Sequence, residues 1–436
     1  MRYWMILMTW FGLSANAWAG VKIEHWIAPS GARVYFVESH GLPILDLQID
    51  FAAGGVHVAG GKEAKSGVAG LTRGLLDAGA GMGAEALDEE KIAARLVDTG
   101  ARIGGGADAD RASISLRTLS HKAQRDAALE LLRTVTSAPT FPESVLERER
   151  ARSIADVREA ETRPDAIASR RFAAAIYPNH AYGLMPTVES LSKITRADLV
   201  EFHRDHYGAK GAVLSIVGDV TRAEAEKIAQ YLTVALPAGG AAIAPPPVTQ
   251  PQSAMIKVPH PAAQSHVLIG LPAIRRTDAD FFPMLLGNYS LGGGGFVSRL
   301  MKEVREKRGY AYSVYSHFVP RIQEGPFEIG LQTKRDQVGD ALKVVNQVLD
   351  DFIAHGPTPT ELAAAKKNLV DGFALRLDSN AKLLGQLSTI GFYGLPLNYL
   401  DDYRKNVQAV TAAQVKAAFA RHIAPQHRVT VVVATD

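Results

Sequence analysis

The amino-acid sequence predicts an α+β protein made of two homologous halves, each with mainly antiparallel sheets packed against helices. Strand-like and helix-like segments follow one another without strict alternation, which is typical of α+β layers. A charge-free segment rich in Pro, Gly and Ala, residues 237–252, divides the chain, because such a composition sustains neither a helix nor a central strand. A helix–turn–strand pattern at residues 194–217 also recurs at residues 410–433.

The first 19 residues have the features of a secretory signal peptide. Arg2 gives a positive start, residues 3–13 form an apolar stretch, and AWA at residues 17–19 has the small–x–small pattern that precedes a cleavage site. The apolar stretch is shorter than the roughly 20 residues that span a bilayer. We therefore predict a signal peptide at residues 1–19, a domain at 20–236, a linker at 237–252 and a second domain at 253–436.

Composition narrows the classes of function. The chain has no cysteine, which excludes disulfides, thiolate catalysis and Cys-ligated zinc. A signal peptide without disulfides favours the bacterial periplasm, and after the signal peptide charges interrupt every apolar run, so we expect no membrane span. The formal net charge is +3, and no dense Lys/Arg stripe with interleaved aromatics is present. Nucleic-acid binding is therefore not predicted.

Within the first half, the strands come first. Residues 33–39 and 44–55 alternate apolar and polar residues, as strands do. A short amphipathic helix over residues 67–77 follows, with Val68, Leu71 and Leu75 on one face. A helix near residues 87–99, paired strands over 101–119 and long helices to about residue 176 complete the unit.

The second half begins with a strand at residues 266–273 and continues with helices near 278–290 and 296–308. Its relation to the first half rests on pairs of residues at matching positions. In the repeated helix–turn–strand these pairs are Thr195 and Thr411, Ala197 and Ala413, and His206 and His422. A second repeated segment pairs Pro142 with Pro359 and Val145 with Leu362. One duplicated α+β unit is the economical explanation.

The segment REKRGYAYS, residues 305–313, joins a predicted helix to a predicted strand. Phe296, Leu300 and Val304 recur at helical spacing and are expected to bury one face, and Gly309 can adopt the left-handed cap. Alternation then places Tyr310, Tyr312 and Val314 on one strand face. These features explain the turn but not the presence of both Arg305 and Tyr312, which form either a structural pair or a pair that converges on a substrate.

Three segments carry a resemblance to a known family: residues 67–80, 149–157 and, most specifically, GGGGFVSRLMKEVREKRGYAYSV at 292–314. With the duplicated halves, they make the chain similar to the pitrilysin/insulinase metallopeptidases, in particular the mitochondrial processing peptidase group. The resemblance implies that the two halves form one wall of a peptide chamber. It also implies that Arg305 donates to a peptide carbonyl and Tyr312 to the oxygen that gains charge during hydrolysis.

The resemblance also shows what is missing. Catalytic members carry HxxEH on the first short helix, where two His bind zinc and the Glu activates water. Gly70, Arg73 and Gly74 stand at the matching positions, and Asp156 falls near a further family carboxylate. Arg73 is either an exposed helix arginine or a cation that repels zinc. We therefore expect no metal in this chain and zinc in a partner subunit.

The resulting prediction is the non-catalytic subunit of a periplasmic heterodimeric zinc metallopeptidase, inactive alone, that lends Arg305 and Tyr312 to a partner with HxxEH. The alternative is a non-catalytic scaffold or peptide-binding protein of the same fold. Other motifs weigh less. His203 and His206 favour a structural or exposed role over a zinc site, and the glycines at 292–295 favour a turn over a phosphate site, since no Lys-Ser/Thr follows. Residues 107–110, ADAD, indicate a strand edge or turn. In relatives the corresponding strand pairs with an extended substrate.

Overall fold

The computed structural model describes residues 21–58, 65–239 and 244–435. The predicted signal peptide lies outside these residues, as does part of the predicted linker. None of the helices in the described ranges combines the length and the apolar composition that a bilayer span requires. The fold is α+β with two similar halves, as predicted.

The first half contains one large sheet and a two-stranded ribbon. Its strands are β1 Glu24–Ile27, β2 Arg33–Glu38, β3 Ile44–Phe51, β4 Gly79–Ala80, β5 Leu87–Asp88, β6 Arg102–Ala107, β7 Ala112–Leu119 and β8 Val213–Gly218. The order in the large sheet is β1-β2-β8-β3-β7-β6, and β4 pairs with β5. Only β2 and β8 run parallel among the paired strands of this sheet. The two edge strands are β1 and β6, and β6 carries three successive glycines.

The second half repeats this sheet. Its strands are β9 Ala254–Pro259, β10 Gln264–Ile274, β11 Val314–Phe318, β12 Gly325–Lys334 and β13 Val429–Thr435. The order β9-β13-β10-β12-β11, with β9 parallel to β13, matches β2-β8-β3-β7-β6 strand for strand. Strand β8 lies between β2 and β3, and β13 lies in the same way between β9 and β10. The shared order supports the duplication predicted from the sequence.

Helices cover the sheets in the same chain order in both halves. The first half has α1 Val68–Gly74, α2 Glu89–Thr99, α3 Lys122–Ser137, α4 Glu143–Ala160, α5 Pro164–Ile176, α6 Val188–Ser192, α7 Arg196–His206 and α8 Arg222–Thr233. The second half has α9 Phe281–Asn288, α10 Val338–His355, α11 Pro359–Asp371, α12 Asn380–Tyr393, α13 Tyr399–Ala409 and α14 Ala412–His422. The predicted repeat is visible in detail, because Thr195 and Thr411 both form capping boxes that begin eleven-residue helices.

The two halves exchange a helix. Helix α5 of the first half packs on β10 and β13, and α12 of the second half packs on β8, β3 and β2. Glycines allow the close approach: a Cβ at Gly270 would lie 2.9 Å from Phe172 of α5, and one at Gly391 of α12 would lie 2.6 Å from Val213. The apolar cores are continuous across the exchange, since Tyr35 and Val213 belong to the core of the second half.

The helix-to-strand segment of the second half differs from the prediction. A π-helical turn, Tyr289–Gly293, and a 3-10 turn, Gly295–Val297, precede the helix, so the predicted helix over 296–308 begins only after Ser298. Strand β11 begins at Val314. The prediction that Tyr310 and Tyr312 lie on one face of a strand with Val314 is therefore wrong, because both tyrosines precede the strand.

Candidate functional site

Helix α1 borders a cavity of about 680 Å³. Gly70 and Gly74, one turn apart, line it together with Asp108, Glu149 and Asp156. A Cβ at either glycine would meet nothing within 4 Å. The predicted apolar face of the helix is confirmed, since Val68, Leu71 and Leu75 are all buried, and Leu71 and Leu75 also form part of the cavity wall. The positions where catalytic relatives carry histidines thus face open space.

Arg73 points away from this cavity. Its side chain is only 5% exposed and donates hydrogen bonds to the carbonyl oxygens of Ser113 in β7 and Gly104 in β6. Burial lowers the pKa of the Arg73 guanidinium. The alternative of an exposed helix arginine is therefore wrong: the chain uses Arg73 to hold the edge of the sheet.

The residues at the predicted motif do not fit a zinc ion. Gly70 and Gly74 have no ligand atom, Arg73 is a cation engaged with carbonyl groups, and Asp156 is an exposed single carboxylate. Within the described residues, the one His/Asp/Glu cluster with metal-like spacing is Asp278, Asp280 and His422, far along the chain. There, Arg421 and the His422 Nε2 (2.9 Å) already contact the Asp280 carboxylate.

The ADAD segment forms the turn between β6 and β7, as predicted. Asp108 caps this turn by accepting from the backbone N–H groups of Asp110 and Arg111. Asp110 is buried and accepts from the hydroxyls of Tyr182 and Tyr393 and from the N–H of Ile322 at 3.0 Å. Burial raises the pKa of Asp110, while these donors lower it. Asp110 therefore links the two halves.

The two histidines at the end of α7 have structural partners. His203 is buried, and its Nε2 lies 2.8 Å from the Thr136 carbonyl oxygen. His206 lies in the other direction, with its ring 5.9 Å from that of His57. His422, the duplicate of His206, has its Nδ1 3.1 Å from the Ala273 carbonyl oxygen. These contacts favour the structural role over a zinc site formed by His203 and His206.

Arg305 and Tyr312 lie together on the surface of the second half. The guanidinium carbon of Arg305 is 5.0 Å from the centroid of the Tyr312 ring, and Tyr312 is 85% exposed. Neighbouring cations have carboxylate partners, since Lys307 and Arg308 both pair with Glu303. Across the ranges that the structure describes, no carboxylate pairs with Arg305. Its N–H groups are thus free to meet an acceptor from outside.

The backbone that holds Arg305 is unusual. Met301–Glu306 forms a π-helical turn, and Gly309 ends it in the left-handed conformation with φ 66°. Such π-helical turns are rare and are found frequently at functional sites. Neither Arg305 nor Tyr312 lines the cavity beside α1. Within this chain, the two predicted motifs therefore belong to different surfaces.

The first half provides an internal comparison for this turn. Helix α2 ends at Gly100, also left-handed with φ 62°, and leads into β6. Four residues before this glycine and three after it stand Leu96 and Ile103, where the second half has Arg305 and Tyr312 around Gly309. Leu96 and Ile103 pack against the core. An apolar pair is thus sufficient for a helix–glycine–strand turn, so the turn itself does not require an arginine and a tyrosine.

The prediction that Phe296 is buried is wrong. Phe296 was expected to be buried with Leu300 and Val304, but it is 63% exposed while those two are fully buried. The 3-10 turn Gly295–Val297 takes it off the helical face, and its ring centroid lies 4.8 Å from the Arg305 guanidinium carbon. Burying a Phe contributes about 1.5–3 kcal/mol, whereas an exposed cation–π contact contributes about 0.5–1 kcal/mol. Stability of this chain therefore does not explain its exposure.

Comparisons with known proteins agree with this fold and these substitutions. Residues 193–369 match the family model described as "Peptidase M16 inactive domain". A solved structure described as peptidase M16 inactive domain from Pseudomonas fluorescens is 37% identical, with a TM-score of 0.89 over 94% of this chain and 97% of that chain. The chain belongs to the peptidase M16 family. The resemblance predicted from the three sequence segments is thereby confirmed.

Some relatives of this chain are named as peptidases and others as non-peptidases. A protein of Helicobacter pylori named "Non-peptidase homolog YmxG" is 26% identical over 96% of this chain and 94% of its own length. An "Uncharacterized zinc protease" of Streptomyces coelicolor is 27% identical over 66% of this chain and 65% of its own length. This M16 chain has no HxxEH sequence, and the family model that matches it is described as an inactive domain.

Some site features could not be found from sequence. The exposed Phe296 was hidden by its helical spacing, and the inter-half role of Asp110 depends on Tyr182 and Tyr393, which are distant in the chain. The cavity beside Gly70 and Gly74 did carry a signal. Two glycines at helical spacing, in a position where both cost helix stability, indicate an open helix face.

Proposed function

We propose that this chain is the zinc-less subunit of a two-chain peptidase, in which a partner with HxxEH holds the zinc ion. The chain itself contributes Arg305 and Tyr312 to the substrate. The observation that carries the proposal is the exposed Arg305–Tyr312 pair at a turn for which Leu96 and Ile103 suffice in the first half. Because the turn does not need these two side chains, their presence is best explained by a bound peptide substrate.

The chemistry of the two side chains suits peptide hydrolysis. The guanidinium of an arginine is planar and has fixed N–H donors, so Arg305 would hold a peptide carbonyl oxygen. The Tyr312 hydroxyl would donate to the oxygen that gains negative charge when water attacks. Removing one donor of this kind typically costs about 2.7–4 kcal/mol of transition-state stabilisation, or 10²–10³ in rate.

We infer that the chain acts in the periplasm. The positive residue, short apolar stretch and AWA sequence at residues 1–19 support export. The absence of cysteine from the sequence agrees with a fold that needs no disulfide there. The proposed partner is a second M16 chain that carries HxxEH and its own signal peptide.

The test combines this chain with its proposed partner, an M16 chain that carries HxxEH. The mixture is expected to cleave peptides, with zinc at one ion per pair, while neither chain is efficient alone. Arg305→Leu and Tyr312→Ile introduce the apolar pair that stands at the same distances from the glycine in the first half, and each should lower kcat/KM by 10²–10³ while the circular dichroism spectrum stays unchanged. Arg305→Ala and Tyr312→Phe complete the series.

Full activity in all four variants would remove the proposed roles. Zinc bound by this chain alone in stoichiometric amount would overturn the subunit assignment. If the pair associates but Arg305 and Tyr312 have no effect on cleavage, the second candidate function, a scaffold or peptide-binding protein, is favoured. The cavity beside α1, which is lined by apolar side chains and carboxylates, would then be the place to look for the peptide.

A further inference from the structure

Phe296 and Arg305 form a cation–π contact at the surface of the second half. The Arg305 guanidinium carbon lies 4.8 Å from the Phe296 ring centroid and 5.0 Å from that of Tyr312. All three residues lie at the surface, and the neighbouring Val297 is also exposed. The guanidinium is therefore held between a turn before its helix and a segment after it.

The position of Phe296 depends on the glycines that precede it. Gly295 is left-handed with φ 61°, a conformation that a side chain rarely adopts, and it starts the 3-10 turn that carries Phe296. Gly294 also permits a close backbone approach, because a Cβ there would lie 2.6 Å from the Tyr289 carbonyl oxygen. The glycine run thus has a definite consequence: it places an aromatic ring over Arg305 instead of in the core.

We propose that Phe296 is a specificity-determining and positioning residue of the Arg305–Tyr312 site. Its ring restricts the guanidinium, and with Val297 it offers an apolar contact to the side chain next to the peptide carbonyl that Arg305 binds. The peptide class is therefore one with an apolar residue at that position. This inference rests on the proposed function, since it concerns the same substrate.

The residues around the Arg305 guanidinium favour an apolar side chain on the bound peptide. A guanidinium covered by aromatic rings keeps its N–H edge for an acceptor and loses water from its faces. The ring of Phe296 and the side chain of Val297 gain by being covered, because both are largely exposed in the free chain. A basic side chain at this place would lose hydration on an apolar surface and would lie beside the Arg305 guanidinium, which carries the same charge.

The test uses the reconstituted two-chain complex and a randomised decapeptide library, with cleavage positions read by mass spectrometry. One cleaved peptide is then resynthesised with Leu, Phe, Ala or Lys at the position next to the bound carbonyl. Phe296→Trp keeps an aromatic ring and should stay within twofold of the wild type. Phe296→Leu keeps an apolar contact but no ring, and should lose about two- to fivefold in kcat with little change in KM.

Phe296→Ala removes both contacts and should also reduce the preference for Leu over Lys by about tenfold. Leu375→Ala is the matched control, because Leu375 is 66% exposed in the same half but lies in a different turn, Ala374–Arg376. Equal kinetics and equal preference in wild type, Phe296→Ala and Phe296→Leu would overturn the inference while Arg305→Leu still shows its loss. If Arg305→Leu and Tyr312→Ile are fully active as well, the proposed function itself fails.

Discussion

The residues of α1 at the metal-motif positions face two different parts of the structure. Gly70 and Gly74 face the cavity, while Arg73 reaches the carbonyl oxygens of Ser113 and Gly104. A glutamate at position 73 would place a carboxylate against these oxygens, which accept hydrogen bonds and cannot donate them. The packing of this sheet edge therefore suits an arginine at position 73 and does not suit the glutamate of HxxEH in the same orientation.

This geometry predicts which part of a metal site can be restored. Gly70→His/Gly74→His places two imidazoles one turn apart on the cavity side, beside Asp156. Because Arg73 is turned toward the sheet, we expect this double variant to bind one zinc ion per chain, measured by titration calorimetry and metal analysis. Each single His variant is the control and should bind far more weakly. Failure of the double variant to bind zinc would show that Arg73 still repels the ion.

At the residue scale, sequence reasoning succeeded where the answer lies in residue type. Glycine and arginine cannot ligate zinc wherever they sit, so the absence of ligands at 70, 73 and 74 was predictable. It failed where the answer lies in a distant partner. Arg73 is buried by residues 31 and 40 positions away in the chain, and no local pattern reveals such partners.

At the scale of elements, local signals were most reliable where caps and periodicity agree. Thr195 and Thr411 begin α7 and α14 with capping boxes, and the match between the two helices was read correctly from sequence. The segment from Gly292 to Val314 was read less well. Its π-helical and 3-10 turns change the number of residues per turn, so a period of 3.6 residues misplaces Phe296.

The contact between His57, in the 3-10 turn Gly55–His57, and His206, at the end of α7, is expected to be sensitive to acid. Burial and the nearby His206 lower the pKa of His57 to about 4. Because the folded protein disfavours protonated His57, the unfolded chain takes up this proton first as pH falls below about 6.5. The free energy of unfolding should therefore decrease between about pH 6.5 and 4, by at most about 3 kcal/mol from this group.

His57→Gln isolates this contribution, because glutamine does not titrate. Urea unfolding of the variant, followed by circular dichroism from pH 7 to 4, should show a shallower loss of stability than the wild type. His355→Gln is the control, since His355 is exposed at the end of α10. An identical pH profile for wild type and His57→Gln would contradict the assignment.

At the scale of the whole molecule, the exchange of α5 and α12 makes the two halves dependent on each other. Sequence patterns predicted two similar units, and the matching sheet orders agree with that prediction. They did not predict the exchange, because an apolar helix face shows that a helix is buried without showing against which sheet. Each sheet is packed against a helix of the other half, so we expect the two halves to unfold together.

Two glycines of α12 allow this dependence to be measured. A Cβ at Gly391 would lie 2.6 Å from Val213 and 2.7 Å from the Tyr35 ring, both in the first half. Gly391→Ala should therefore lower the free energy of unfolding by about 1–3 kcal/mol through overpacking, in one transition that includes both halves. Gly385→Ala in the same helix has no atom within 4 Å of its Cβ and should stabilise by up to about 1 kcal/mol through helix propensity. If both variants unfold like each other, or if Gly391→Ala splits the transition so that only the second half is affected, the exchanged helix does not couple the halves.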